Sequence, residues 1–382
     1  MSWLDNAVIY EIFIDRFAGF TDTSKSDQPV YVGGNIRGII DKLPYIKDLG
    51  VNAIWITPFY SGVDYHGYRI TDFYGVDEHF GTEKDVSDLI ESAHNLGIKV
   101  IADFVFNHCS NDHPFFKDAV ANKDSEYRNW FIFKKWPSDY RCFLSYGMLP
   151  KLNMDNNQTR LHIQGAAKKW LSIGFDGLRL DHVVGVSNDN LRKLISPLRL
   201  EFPNAVFFGE ACFDGIKFSE LKTIKSKYKY LIWLFRLKTI LYQSYVGILD
   251  GVLDFKTVKY FKNYAFNDNV RYKQKIIKKY NNLKREITYI NFLDNHDMER
   301  FLFLCDGDVD KLKRAIDLQL SLNDPMVIYY GTEIGMSQSA PFSSLKGNAV
   351  LLTRQPMQWD ISKQNSDLLK YYKTVISAKI DH

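Results

Sequence analysis

The stretch Trp170-Leu-Ser-Ile-Gly-Phe-Asp-Gly-Leu-Arg-Leu-Asp181 decides the fold, because a helix end, a strand and a charged strand terminus follow one another without a spacer. Glycine after the last helical turn supplies a left-handed cap, and the apolar run behind it reads as a strand buried on both faces. The same grammar occurs twice upstream. Ile36, Ile39, Ile40, Leu43 and Leu49 form a helical stripe closed by Gly50, and Val51-Asn-Ala-Ile-Trp-Ile56 follows at once. Thr82-x-x-Asp85 opens a second stripe in capping-box fashion; it passes Val86, Leu89, Ile90, Ala93 and Leu96 to Gly97 and enters Ile98-Lys-Val-Ile-Ala-Asp103. Helices alternating with parallel strands are implied.

Five further apolar runs extend the series: Ala7–Phe13, Ala205–Glu210, a weaker one at Gly251–Phe255, Ile287–Leu293 and Met326–Tyr330. Eight strands alternating with helices is the count of a (β/α)8 TIM barrel, an α/β fold; pattern alone also admits a doubly wound open sheet. One interval breaks the rhythm. Between Asp103 and a helix starting near Gln158 lie about fifty residues rich in Asn, Asp, Ser and aromatics with no sustained helical period, and a connection that long is functional or a small inserted domain. The expected organisation is therefore 1–106 as the first part of the barrel, 107–157 as an inserted domain B and 158–382 as the rest of the barrel, closed by a helix over Asn365 to Lys379.

The 382 residues are 46% hydrophobic and 25% charged, which excludes a disordered chain, and 49 Lys and Arg against 45 Asp and Glu leave a net charge of only +4. That balance calls for no nucleic acid and no membrane partner. The densest basic stretch, Arg271 to Arg285, carries Tyr272, Ile276, Tyr280 and Leu283 at helical spacing, so its lysines read as the solvated face of a barrel helix. Cys109, Cys142, Cys212 and Cys305 are widely spaced and form no metal-ligand pattern, which favours free thiols. No apolar segment approaches the roughly 20 residues of a membrane span, and the start Met-Ser-Trp-Leu-Asp lacks the pattern of a secretory signal, so a soluble, cytoplasmic protein is expected.

In a barrel the chemistry sits where strands end at their carboxyl side. The third predicted strand ends Asp103-Phe-Val-Phe-Asn107-His108, the fourth Arg179-Leu-Asp181-His182, the fifth Gly209-Glu210 and the seventh Asp294-Asn-His296-Asp297. Any one acid after a strand is more often a helix cap or a loop solvator. Three of them, Asp181, Glu210 and Asp297, together with His108, Arg179 and His296, suit acid-assisted glycoside cleavage, in which one carboxyl donates a proton and the other attacks or activates water.

These four segments resemble, in order, the signature regions of the α-amylase family of retaining glycoside hydrolases, family 13, and the likeness runs from Ile9 to about Asp360. Leu149-Pro-Lys-Leu-Asn153 resembles a signature of the neopullulanase and cyclomaltodextrinase branch; Tyr65-His-Gly-Tyr68, Asp72-Phe-Tyr74 and Phe80-Gly-Thr82 match the loop after the second strand, and Arg354-Gln-Pro-Met-Gln-Trp-Asp360 a segment after the eighth. The resemblance implies that Asp181 is the nucleophile, Glu210 the acid/base and Asp297 the third carboxylate holding sugar hydroxyls. It implies that His108 and His296 hydrogen-bond the sugar, that Tyr68 stacks on it, and that His66, Asp103 and Arg179 also belong to the substrate-binding set. Arg179, two residues before Asp181 on one strand face, is expected to keep that carboxylate ionised, and the apolar run before Glu210 to raise its pKa toward that of an acid.

The implied substrate is an oligosaccharide or polysaccharide of the maltooligosaccharide or α-glucan class, with an α-glucan transglycosylase and a non-catalytic sugar-binding barrel as the alternatives. After Asp181 the chain reads His182-Val-Val-Gly185, which departs from the family at positions facing the leaving group. The sequence begins at the expected barrel rather than at the N-terminal β-domain usual in that branch, and the expectation is that no C-terminal β-domain follows the final helix within it. No cofactor is required for the chemistry. Structural calcium is compatible with Asn107, whereas the loop Thr21–Asp27 lacks ligand spacing and Asn35 stands where Asp is common.

Overall fold

All eight runs form strands. The computed structural model describes residues 2–380 except 21, 214–220, 222–228, 236, 283–285 and 345–347. Its strands in chain order are β1 Val8–Ile12, β2 Ala53–Ile56, β3 Tyr60–Gly62, β4 Ile70–Val76, β5 Lys99–Phe104, β6 Phe133–Lys135, β7 Asp139–Tyr140, β8 Gly177–Leu180, β9 Val206–Gly209, β10 Gly251–Leu253, β11 Thr288–Phe292 and β12 Met326–Tyr329. Eight of them close into a barrel in the order β1, β12, β11, β10, β9, β8, β5, β2, which decides against the open sheet; β3–β4 and β6–β7 are separate two-stranded ribbons.

The chain divides into two compact units, Met1–Ile56 with Asp88–Val100 and Leu253–His382, and Thr57–Ser87 with Ile101–Val252. In the first, β1 pairs in parallel with β12 and β2, and β11 with β12. The helix Ile36–Leu49 begins because Asn35 caps it, its side chain accepting from Gly38 N at 2.9 Å, and ends at Gly50 with φ 97. Asn35 is thus committed to a cap. Leu43, Ile46 and Leu49 face inward, and the predicted closing helix spans Ser366–Ile380. In the basic stretch the helix is Val270–Asn281; it buries Ile276 and Tyr280, while Arg271, Lys275, Lys278 and Lys279 are exposed. Leu283 and Arg285 lie outside the described residues, as does Thr21 of the first loop.

In the second unit β8 pairs with β5 and β9. The expected capping box at Thr82 forms, with Thr82 N donating to Asp85 Oδ2 at 2.7 Å and Asp85 N to Thr82 Oγ1 at 3.2 Å. The segment after β5 departs from its aperiodic reading. It contains a helix, Pro114–Ala121, opened by Pro at its first position and by His113, whose ring accepts from Phe115 N. Eight residues with Phe116 and Ala119 inward are too few to make a stripe stand out. The aromatic richness of the segment is its own small core: Phe116 packs edge-on to Phe131 and Tyr140, and Phe115 to Trp130. Among the described residues no helix is long and apolar enough to cross a membrane.

Candidate active site

Parallel register builds the cluster in the second unit. Asp103 on β5 is the Cα partner of Arg179 on β8, so two opposite charges stand side by side inside the sheet, both fully buried. Arg179 Nη1 lies 2.9 Å and 3.0 Å from the two oxygens of Asp103 and 2.9 Å from Asp181 Oδ1, while Nη2 lies 3.2 Å from Glu210 Oε2. One guanidinium therefore holds three carboxylates. Burial works against its charge, but Asp103 and then Glu210, with Asp181 and Tyr68 adding less, raise its pKa well above the usual value.

Asp181 and Glu210 stand just past the ends of β8 and β9, and their backbones are locked together: Asp181 N donates to Phe104 O at 3.1 Å, Glu210 N to Leu180 O at 3.0 Å and Val183 N to Glu210 O at 3.2 Å. The setting of Glu210 is more polar than its preceding apolar run suggests. Besides Arg179 it receives the backbone N–H of His182 at 3.1 Å, and His182 reaches that position through a left-handed φ of 47.

Tyr68 Oη donates to Asp103 Oδ2 at 2.8 Å, which anchors its hydroxyl, and its ring lies 5.8 Å from that of His66. Gly67 makes this turn possible: its φ is +78, and a Cβ there would fall 2.0 Å from Pro58 O. His66 Nδ1 accepts from Tyr68 N at 3.1 Å, and its Nε2 lies 3.2 Å from Asp64. His108 is buried, and burial pushes its pKa down to about 3 against the opposing effect of a hydrogen bond to the Tyr68 backbone. A neutral imidazole offers one donor and one acceptor nitrogen, which suits a sugar hydroxyl. Phe143 of the inserted segment covers it, with ring centroids 4.8 Å apart.

His296 and Asp297 belong to the other unit. His296 Nδ1 lies 2.5 Å from Glu11 Oε1 and its Nε2 3.1 Å from Asp297 Oδ2. Burial opposes the charged ring, yet Asp297 and Glu11 outweigh it and push the pKa up to about 10. Arg354 completes the group, Nη2 donating to Asp297 Oδ1 at 2.7 Å and Nε to His296 O at 2.9 Å. Glu11 and Arg354 are the partners of His296 and Asp297 that motif reading passed over. The signal for Glu11 was a lone acid inside the apolar run Val8–Ile12; Arg354 heads a motif that had been matched without assigning it a role.

Calcium does not fit the residues at Asn107. Its amide is buried and without partners among the described residues, as a ligand's would be, but the adjacent Gly185 carbonyl accepts the ammonium of Lys151 at 2.5 Å, so the cation at this corner is a side chain. Gly185 is required there, since a Cβ would sit 2.3 Å from Asn107 Oδ1. Among the described residues no cluster of three His, Cys, Asp or Glu could hold a metal ion.

Residues 11–196 and 250–375 match the family model for the α-amylase catalytic domain. Alpha-amylase 2 of Dictyoglomus thermophilum is 34% identical over 390 residues, covering 100% of this chain, and a cyclomaltodextrinase of Thermoanaerobacter pseudethanolicus is 30% identical, covering 99%. This chain spans 64% of the length of each of these relatives. Among solved structures, the cyclic α-maltosyl-(1→6)-maltose hydrolase of Arthrobacter globiformis in complex with maltose superposes with a TM-score of 0.83 at 25% identity, over 100% of this chain and 85% of that one. The closed eight-stranded barrel agrees with these matches, and the chain belongs to the α-amylase catalytic-domain family.

Proposed function

We propose that the protein is a retaining glycosidase cleaving α-glucosidic bonds of maltooligosaccharides or related α-glucans. The observation that carries this is the single buried guanidinium of Arg179 shared by Asp103, Asp181 and Glu210. Two carboxyls gathered on one cation suit the closely spaced pair that a covalent glycosyl-enzyme mechanism uses. In this proposal Asp181 attacks the anomeric carbon and Glu210 protonates the departing oxygen, then takes a proton from water. Tyr68, His66 and His108 bind sugar; Asp297, held by His296 and Arg354, is the third carboxylate of the family pattern, the one assigned to sugar hydroxyls. Residues 107–157 serve as domain B. Lys151 supplies the internal cation, so calcium is not needed at Asn107. Four free cysteines fit a reducing, cytoplasmic setting.

The two carboxylates separate by the step each controls. A fluoride or nitrophenolate leaving group needs no proton, so Glu210→Ala should form the glycosyl-enzyme from an activated α-glucoside and then stall, giving a burst that azide relieves. Asp181→Ala has no nucleophile and should show neither. A burst from Asp181→Ala with an inert Glu210→Ala would overturn the assignment.

A further inference from the structure

The inserted segment presents an aromatic surface that none of the roles above uses. Its loop is tied at the base by Phe143 N to Leu149 O at 2.9 Å, and Cys142 bridges Pro150 in antiparallel fashion. At the tip, Leu144 and Ser145 both adopt left-handed φ, 43 and 73, which non-glycine residues adopt only when the surroundings enforce it. That backbone turns Phe143 inward and Tyr146 outward. Phe143 lies 4.6 Å from the His182 ring and 4.8 Å from His108, whereas Tyr146 is 55% exposed with its ring roughly parallel to that of Phe143, centroids 6.4 Å apart. Tyr146 Oη has no hydrogen-bond partner among the described residues, so polar bonding does not explain the side chain's place.

We propose that Phe143 and Tyr146 form a stacking platform for the sugar units on the leaving-group side of a bound α-glucan. The assignment rests on the function proposed above. Its side of the site follows from His182: this residue packs on Phe143 and gives its N–H to Glu210, the group assigned to protonate the departing oxygen. Its ligand class follows from charge. Residues 142–150, Cys-Phe-Leu-Ser-Tyr-Gly-Met-Leu-Pro, contain no Asp, Glu, His, Lys or Arg and carry no charge at neutral pH, which suits a neutral chain whose pyranose rings offer apolar C–H faces to aromatic rings. The surface is also continuous with the buried ring of His108, on which Phe143 packs.

The test compares maltotetraose, which places sugar on that side, with α-glucosyl fluoride, which does not. Tyr146→Ala should lower the ratio of kcat/KM on maltotetraose to that on the fluoride about ten-fold, the scale of one lost stacking contact, and the loss should appear in KM. Tyr146→Trp and Tyr146→Phe should keep the ratio. A chain that cleaves both substrates with a ratio indifferent to Tyr146→Ala would overturn the platform while leaving the glycosidase proposal intact. So would a fall in oligomeric state on Tyr146→Ala with no change in the ratio, because the exposed ring would then belong to a contact between copies. An unmodified chain that cleaves neither substrate would remove the reaction and the platform together.

Discussion

His296→Gln should abolish a pH dependence of stability that the wild-type chain shows between about pH 7 and 9. The imidazole is fully buried between Glu11 at 2.5 Å and Asp297 at 3.1 Å, and its pKa of about 10 stands well above the 6.5 of a free histidine. Between those two values the folded protein retains a proton that the unfolded chain has released. Stability therefore falls as pH rises, by about 1.4 kcal/mol per pH unit for one proton; the contribution is full below the unfolded pKa and is gone above the folded one. The shift bounds it at about 5 kcal/mol, and the half-exposed carboxylate of Asp297 reduces that to the order of 2 to 3 kcal/mol. Urea unfolding at pH 6, 7, 8 and 9 measures it. The free-energy gap between wild type and His296→Gln should be widest at pH 6 and narrow by about 2 kcal/mol at pH 9. Parallel curves would refute the charged ring, as would ring nitrogen chemical shifts showing a neutral imidazole at pH 8.

Arg179→Met leaves three carboxylates around a buried site without their cation, and breaking a buried pair from one side costs about 3 to 5 kcal/mol, readable as a lower urea midpoint; a loss below about 1 kcal/mol would mean that the acids relax into water. Lys151→Met removes a charged donor from the Gly185 carbonyl and should cost about 1.5 to 3 kcal/mol. A chelator, by contrast, should leave the melting temperature of the unmodified chain in place, and a melting temperature that drops in EDTA and recovers with calcium would contradict the role given to Lys151.

Local sequence was enough to read the eight strands of the barrel and which residues stand at their ends. Gly50, Gly97 and Gly174 end helices and doubly apolar runs follow them, because the backbone conformations and the burial on both faces are local demands met by local residue types. Asp103, Asp181, Glu210 and Asp297 could be read as strand-end residues for the same reason. Partner choice was not legible. Only the register of β5 against β8 shows that Asp103 is bound to Arg179, and only the fold joins Glu11 to His296 across 285 positions of chain. The Lys151 ammonium on Gly185, the His182 N–H on Glu210 and the hydroxyl of Tyr68 on Asp103 are likewise contacts between segments distant in sequence. Periodicity reports which way a side chain points along its own element. The strength and sign of an electrostatic interaction depend on distance and burial, and those are set when separate elements pack together.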